Sequence, residues 1–524
     1  MSTVEERRAR TTPSERLDGL EDRRLAAASP GSDRARDRQR GRGRLLARER
    51  IDHLLDDGSF NEIGMLARHA VGDRLAERPH TDGVITGFGT ILGRAVYVYA
   101  QDVTVFGGAL GQAHAEKVNR VLDLAADAGL PVIGLNDGGG ARIQEGVSAL
   151  ASYGRIFARH VRASGVTPQI SVILGPCAGG GVYSPALTDF VFMVEGTSSM
   201  FLTGPDVVRS VTGEEVTVEE LGGAGSHSRL SGVATFVAAD ERSCLDDVRY
   251  LLSFLPSNNL DEPPITATDD APTRPTPSLR TVLPTSARVP YDVRTIIAEV
   301  ADDGEFLEYQ QRWAPNLVCG FVRLAGRPVG VVANQPDHLA GVLDIDASDK
   351  GARFVRTCDA FNIALVTIVD VPGFLPGTDQ EYNGIIRHGA KLLYAYCEAS
   401  VPRIQVITRK AFGGAYIVMD CKAIGADFSY AWPTAEIAVM GASGAVNVLD
   451  RRQIAAADDP DAMRSELERR YEDEFLNPWE AADANHIDEV IDPAETRARL
   501  IAALSVLRSK REDPPHRKHG NMPV

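Results

Sequence analysis

The sequence predicts two tandem α/β domains descended from one duplicated unit, and three observations carry that reading. The chain repeats itself: Gly87-Phe88, Gly93-Arg94, Val96, Val98, Gly108, Lys117, Arg120 and Asp137 recur as Gly320-Phe321, Gly326-Arg327, Val329, Val331, Gly341, Lys350, Arg353 and Asp370, at a constant offset of 233 residues. After one added residue the match resumes, with Pro168, Ile170, Val172, Ile173, Gly179 and Gly180 answered by Pro402, Ile404, Val406, Ile407, Gly413 and Gly414. Apolar strand-like segments alternate with helical ones in both halves, which implies crossover units around a parallel sheet. A proline-rich stretch separates the halves. A period of nearly half of 524 residues is far too long for a solenoid, and each half can bury its own core.

In chain order, residues 1–44 form an arginine-rich arm. From Arg34 to Arg44 the arginines alternate with small or polar residues, then merge into an amphipathic helical stretch at 45–51. This pattern reads as a solvated arm leading into a helix rather than a polyanion site. The first domain spans 45–262. Within it, 95–100 and 131–136 are strand-like, and 113–128 has helical spacing, with Val118, Val121, Leu122 and Ala125 on one face. Residues 263–290 read as an extended linker because Pro263, Pro264, Pro272, Pro275, Pro277 and Pro284 stand among Thr and Asp. The second domain, 291–524, repeats the pattern with strands at 329–333 and 364–369 and a helix at 348–361. Two surface helices are expected at 462–475 and 493–510, before a basic tail at 514–524.

Composition narrows the function. A hydrophobic content of 44% with 24% charged residues is that of a globular protein, and the formal net charge of −16 argues against a nucleic-acid binder. No apolar run approaches the roughly 20 residues of a membrane span, and the N-terminus lacks the apolar core of a signal peptide, so a cytoplasmic protein without membrane contact is expected. The six cysteines are scattered with no C-x-x-C pair, which argues against a zinc ribbon, an iron–sulfur site or a disulfide framework. They read as reduced packing residues, and no metal is expected.

Four glycine clusters carry the functional signal. Asn136 to Gly146 and Gly175 to Tyr183 each follow a strand, and their second-half equivalents are Asp370 to Gly377 and Lys410 to Ile417. A glycine turn between strand and helix lets the backbone approach a ligand. The N–H groups of the next helix's first turn then point at it, so such a turn can hold an anion or serve packing alone. Tyr183 follows one Gly-Gly pair and Tyr416-Ile417 the other, residues suited to the wall of an acyl pocket. What both halves keep is mostly glycine and strand apolars, so chemistry here relies on main-chain groups. Competing motifs fail on spacing. Gly441-Ala442-Ser443-Gly444 is not a nucleophile elbow, no G-x-x-x-x-G-K-[ST] loop occurs, and Gly87-Phe88-Gly89 is no dinucleotide fingerprint. Asp344 and Asp346 read as a solvated turn rather than an acid–base pair.

At these clusters the chain resembles the carboxyltransferase (β) subunits of biotin-dependent acyl-CoA carboxylases of the propionyl-/acetyl-CoA type. The matching residues include Ala47-Arg48-Glu49-Arg50-Ile51, Asp57-Gly58-Ser59-Phe60, Gln101-Asp102, Phe106-Gly107-Gly108, Ala431-Trp432-Pro433-Thr434 and Lys518-His519-Gly520-Asn521. The resemblance implies two crotonase-like (ββα spiral) domains, the first for acyl-CoA and the second for carboxybiotin. It also implies a hexamer in which each site joins the N-terminal domain of one subunit to the C-terminal domain of its dimer partner. The N–H groups of Gly179 and Gly180 would hold the thioester oxygen as an enolate, with Gly139, Gly140, Arg142, Tyr183, Tyr416 and Ile417 around the substrate. Those of Gly414 and Ala415 would hold the ureido oxygen of biotin, with Gly373, Phe374 and Gly413 beside it. Arg142 and Lys117 are candidates for the CoA phosphates. Gly138 replaces the family's usual Ser, and Ile417 stands where propionyl-type relatives carry Asp. The chain has no Ala-Met-Lys-Met biotinylation sequence, so biotin is expected on a separate biotin carboxylase and carrier α subunit, with an additional small subunit left open. Running the same site as an acyl-CoA decarboxylase or transcarboxylase is the enzyme alternative; a non-catalytic scaffold is the other.

Overall fold

The computed structural model describes residues 12–71, 75, 77–286, 289–512 and 514–524; the first eleven residues of the arginine-rich arm lie outside these. The chain divides into two compact units, Met1–Ser253 and Phe254–Val524.

The first unit is built on one sheet. Its strands are β1 (Asn61–Ile63), β2 (Val84–Ile91), β3 (Arg94–Gln101), β4 (Val132–Gly138), β5 (Gln169–Ala178), β6 (Phe190–Val194), β7 (Ser199–Phe201) and β8 (Phe236–Ala238). They lie in the order β1-β2-β3-β4-β5-β6-β8, with β7 also on β5. The β1-β2-β3 edge is antiparallel and the rest is parallel. The second unit repeats this with β9 (Leu307–Tyr309), β10 (Leu317–Leu324), β11 (Arg327–Asn334), β12 (Ala364–Val371), β13 (Arg403–Phe412), β14 (Phe428–Ala431), β15 (Glu436–Ala438) and β16 (Glu489–Val490). Its order is β9-β10-β11-β12-β13-β14-β16, with β15 also on β13. The expected duplication, strands and crossover helices are therefore present. The first-half helix is Gln112–Ala128, which buries Val118, Val121, Leu122 and Ala125 and ends on Gly129 in the left-handed conformation.

The duplicated residues prove to be framework. A side chain on Gly87 would collide with the Phe60 ring, and one on Gly320 with the equivalent Phe306 ring, so glycine is kept where an aromatic ring crosses the strand. Lys117 is buried and donates to the carbonyls of Thr81 and Val84, while Lys350 donates to Trp313 (2.9 Å) and Ala314. Burial pulls both amines down to about 8. Lys117 thus ties the chain entering β2 to its helix, and its amine is not free for a phosphate.

Three segments differ from their sequence reading. Arg44 is not solvated: it is buried and pairs with Asp137 at 2.7 Å, beside Arg50 at 2.9 Å. The proline-rich residues between the halves lie in the second unit, where Leu279 joins the core of Val293, Ile297, Val318 and Trp432. The Thr276 N–H also bonds the Ala494 carbonyl at 2.9 Å. Helix Pro460–Phe475 lies on the surface as expected, with no buried residue. Thr496–Val506 instead buries Leu500 and Ala503, and its fully buried Arg497 reaches Asp302 at 2.6 Å.

Candidate functional site

Each glycine turn sits at a strand that forks. The first part of β5 pairs with β6 and its last residues, Pro176 to Ala178, pair with β7; β13 divides in the same way between β14 and β15. At the fork the register slips, between Asn136 and Gly138 in one half and between Val369 and Val371 in the other. Such an irregularity re-aims the strand end. The repeated aspartates stand at this slip. Asp370 accepts from Arg409 (2.8 Å) and from the Lys410 N–H (3.1 Å). The Asp137 carboxylate is met by Arg44 and Arg50, and Arg44 also donates to the Leu174 carbonyl. Burial raises the Asp370 carboxyl, against the pull of Arg409. These groups hold the backbone that the turn needs.

The turns themselves are alike. Gly179 (φ 61°) and Gly413 (φ 58°) both adopt the left-handed region, which explains glycine there. Gly180 lies in the short 3₁₀ turn Gly179–Val182 that leads into helix Tyr183–Leu187, and Gly414 lies in the first turn of helix Gly413–Val418. First-turn N–H groups have no acceptor within their own helix. Gly414 is exposed and would have open space around a Cβ, while Ala415 is buried. In the first unit the Gly139–Gly140 loop comes against the turn, since a Cβ on Gly140 (φ 89°) would stand 3.0 Å from the Ala178 carbonyl. Tyr183 is half exposed and packs edge-on to Phe157, which stacks on Tyr153 beneath Gly180 and Gly181.

In the second unit the structure brings Phe374, Gly414 and Ile417 together around an open cavity of about 470 Å³. Ile385, Ile386, Gly389, Ala390, Leu393 and Val418 complete its apolar wall, and Glu381 also lines it. The loop carrying Gly373 and Phe374 is held by the Leu343 N–H bonding the Gly373 carbonyl at 3.1 Å and the Leu375 N–H bonding Leu343 at 2.8 Å. The sequence reading missed helix Ile385–Glu398. Its signal was visible in Ile385, Gly389 and Leu393, one stripe at i, i+4, i+8 whose small central residue leaves room. Tyr416 is half-buried, and burial pushes its phenol up.

Arg142 has a different place from the expected one. It is buried and pairs with Asp82 (2.8 Å) and Glu145 (2.9 Å), and it also donates to the carbonyls of Asp82 and Ala109. Its guanidinium braces the loop of Gly139 and Gly140 and is not free for a phosphate. Cys177, the thiol nearest the first turn, is buried, and burial pushes it up to about 12, which removes it as a nucleophile. A Cβ at Gly138 would stand 2.5 Å from the Gly108 carbonyl, which accounts for glycine in this chain.

Each unit thus carries a strand-end glycine turn whose first-turn N–H groups have no acceptor in their own helix. The chain belongs to the carboxyl transferase family, whose domain model matches residues 38–522. It is 56% identical over 516 residues to the propionyl-CoA carboxylase carboxyltransferase subunit of Haloferax mediterranei, covering 98% of this chain and all of that one. It is 52% identical over 516 residues to the methylmalonyl-CoA decarboxylase subunit alpha of Veillonella parvula, with the same coverage. Among solved structures, transcarboxylase 12S superposes with a TM-score of 0.95 at 49% identity, covering 98% of this chain and 99% of that one. That protein is a hexamer, solved with methylmalonyl-coenzyme A and methylmalonic acid bound. The pair of crotonase-like α/β domains expected from the sequence is the fold found.

Proposed function

We propose that this chain is the carboxyltransferase subunit of a biotin-dependent acyl-CoA carboxylase, acting on the α carbon of a short-chain acyl-CoA. The observation that carries this reading is the equivalence of the two turns, each with a left-handed glycine at the end of a forked strand and first-turn N–H groups that have no acceptor in their own helix. Bound on a partner subunit, carboxybiotin supplies the carboxyl group and the base. The apolar cavity beside Gly414 fits its ring body, and the N–H groups of Gly414 and Ala415 would meet the ureido oxygen. In the first unit the N–H groups of Gly179 and Gly180 hold the thioester oxygen as negative charge develops on it. Preorganised donors of this kind need no protein nucleophile. Ile417, 44% exposed at the wall of that cavity, would present its branched apolar side chain to an acyl group brought up to the biotin ring, so the substrate range is not restricted to propionyl.

Assembly follows from the same surfaces. The elements adjoining the turns expose large apolar side chains, with Ile143, Val147 and Leu150 in the first unit and Tyr382, Ile386 and Val439 in the second. Such surfaces mark subunit contacts, and a hexamer like that of transcarboxylase 12S would cover them. A separate α subunit carries the biotin, and the reading includes a cytoplasmic location.

The second reading is the same site in a decarboxylase or transcarboxylase, favoured by the 52% identity to the Veillonella subunit. ATP-dependent coupling to a biotin carboxylase separates the two. The first experiment follows carboxyl transfer from methylmalonyl-CoA to free biotin with wild type and Gly180→Pro, which lacks the donor N–H. Transfer reduced roughly 10²–10³-fold in the variant supports the site. An assembled wild-type protein without transfer across several acyl chains overturns it in favour of a scaffold.

A further inference from the structure

The duplication supplies an internal control, because the arginine that opens the second hairpin strand is kept in both halves as Arg94 and Arg327. In the first unit Arg94 is held, donating to the Leu252 carbonyl at 2.7 Å. In the second unit the Arg327 side chain makes no hydrogen bond or ion pair with the described residues, and the residue lines an open cavity of about 330 Å³ instead. Arg508, at the end of the chain's last helical turn, lines the same cavity and is likewise unpartnered among the described residues.

The cavity is built rather than a surface crease. One wall, 259–262, is fixed by the Asn362 side chain donating to the carbonyls of Asn259 (2.8 Å) and Asp261 (2.9 Å). The opposite wall is fixed by Lys510, which donates to the Val401 carbonyl (3.1 Å) and pairs with Asp427 (2.9 Å). Between them the floor is apolar, formed by Val329, Pro402 and Leu504. Its charged lining is Arg327, Arg508, Lys510 and Arg511 against Glu262 and Glu512, a cationic surplus on a chain whose formal net charge is −16. Val329, Ala364 and Pro402 mark the N-terminal ends of the parallel strands. The glycine turn follows the other end of β13, so about 30 Å of strand separates this cavity from it.

We propose that this cavity binds a small organic anion, a carboxylate or phosphate received by the Arg327 and Arg508 guanidinium groups with its short apolar body on Val329, Pro402 and Leu504. Guanidinium groups match the paired oxygens of either anion, and the volume is that of a small-molecule site. Its distance from the glycine turn makes it an effector site rather than a substrate site.

Binding of butyrate, succinate and inorganic phosphate to the assembled protein would be measured by calorimetric titration against chloride at matched ionic strength. The butyrate and succinate arms separate carboxylate ligands from phosphate. Saturable binding of at least one probe is expected, weakened about ten- to hundredfold in Arg327→Ala and in Arg508→Ala. Arg464→Ala, on the surface helix Pro460–Phe475, should retain it. Unchanged melting of the variants in chloride would show that they are folded, and Arg508→Lys should restore part of the affinity. No saturable binding of any probe to wild type, or binding that survives both arginine substitutions, would overturn the proposal. None of these readouts depends on carboxyl transfer.

Discussion

Ile417 and Lys350 show how differently two single residues can act in one unit. Ile417 projects from the helix that begins with the second glycine turn and lines the apolar cavity with Phe374 and Gly414. Ile417→Asp places a carboxylate there and should change the ratio of transfer rates among acetyl-, propionyl- and butyryl-CoA, by about tenfold for a difference of 1.4 kcal/mol. An unchanged ratio would show that the position does not meet the acyl group. Lys350 touches no ligand: it is buried, donates to the Trp313 carbonyl, and burial pulls its amine down to about 8. Its folded pKa lies below the ordinary value of 10.5, so between about pH 8 and 10.5 the unfolded chain binds more protons and this group's contribution to stability rises with pH. The difference in melting temperature between wild type and Lys350→Met, followed across that window, should therefore grow in favour of wild type. A flat difference would mean that the amine titrates normally.

The element that matters most is the forked strand with its terminal glycine turn. The slip in register, the aspartate at the slip, the left-handed glycine and the following helix occur together in both halves. Gly413 and Gly414 separate the structural from the functional demand within one such turn. A Cβ on Gly413 would adopt φ 58° and stand 2.9 Å from the Val439 carbonyl, so Gly413→Ala should cost about 1–3 kcal/mol of stability. A Cβ on Gly414 would meet open space, so Gly414→Ala should leave the melting temperature nearly unchanged while raising KM for the biotin substrate. Thermal unfolding and steady-state kinetics on the two variants check the contrast; equal losses of stability would contradict it. The glycine pairs, the strands and the crossover helices were legible in the sequence because spacing and repetition are local signals. That the stripe from Ile385 to Leu393 lines a cavity was not, since an apolar helical stripe has the same sequence signature whether it faces a core or a ligand.

At the scale of the molecule, each unit carries exposed apolar side chains on the elements adjoining its turn, with Val147 78% exposed in the first and Ile386 78% exposed in the second. A surface of this kind is stable in water when another subunit covers it. Ile386→Asp should therefore shift the assembly toward smaller species, read as mass by light scattering after size exclusion, without unfolding the exposed position. A full-size assembly in the variant would place the subunit contact elsewhere. The duplication, the two α/β units, the glycine turns and the family likeness were determined by the sequence alone, because repeats, periodicity and backbone-permissive residues act through local geometry. Only the tertiary structure decided which charged side chains are available. Lys117, Arg142 and Arg44 read as surface cations from their neighbours in sequence, yet each is buried against carbonyls or carboxylates brought from distant strands and loops. The guanidinium of Arg327, the duplicate of the occupied Arg94, is left without a partner among the described residues. The availability of a charge depends on long-range partners, and those exist only after the chain has packed.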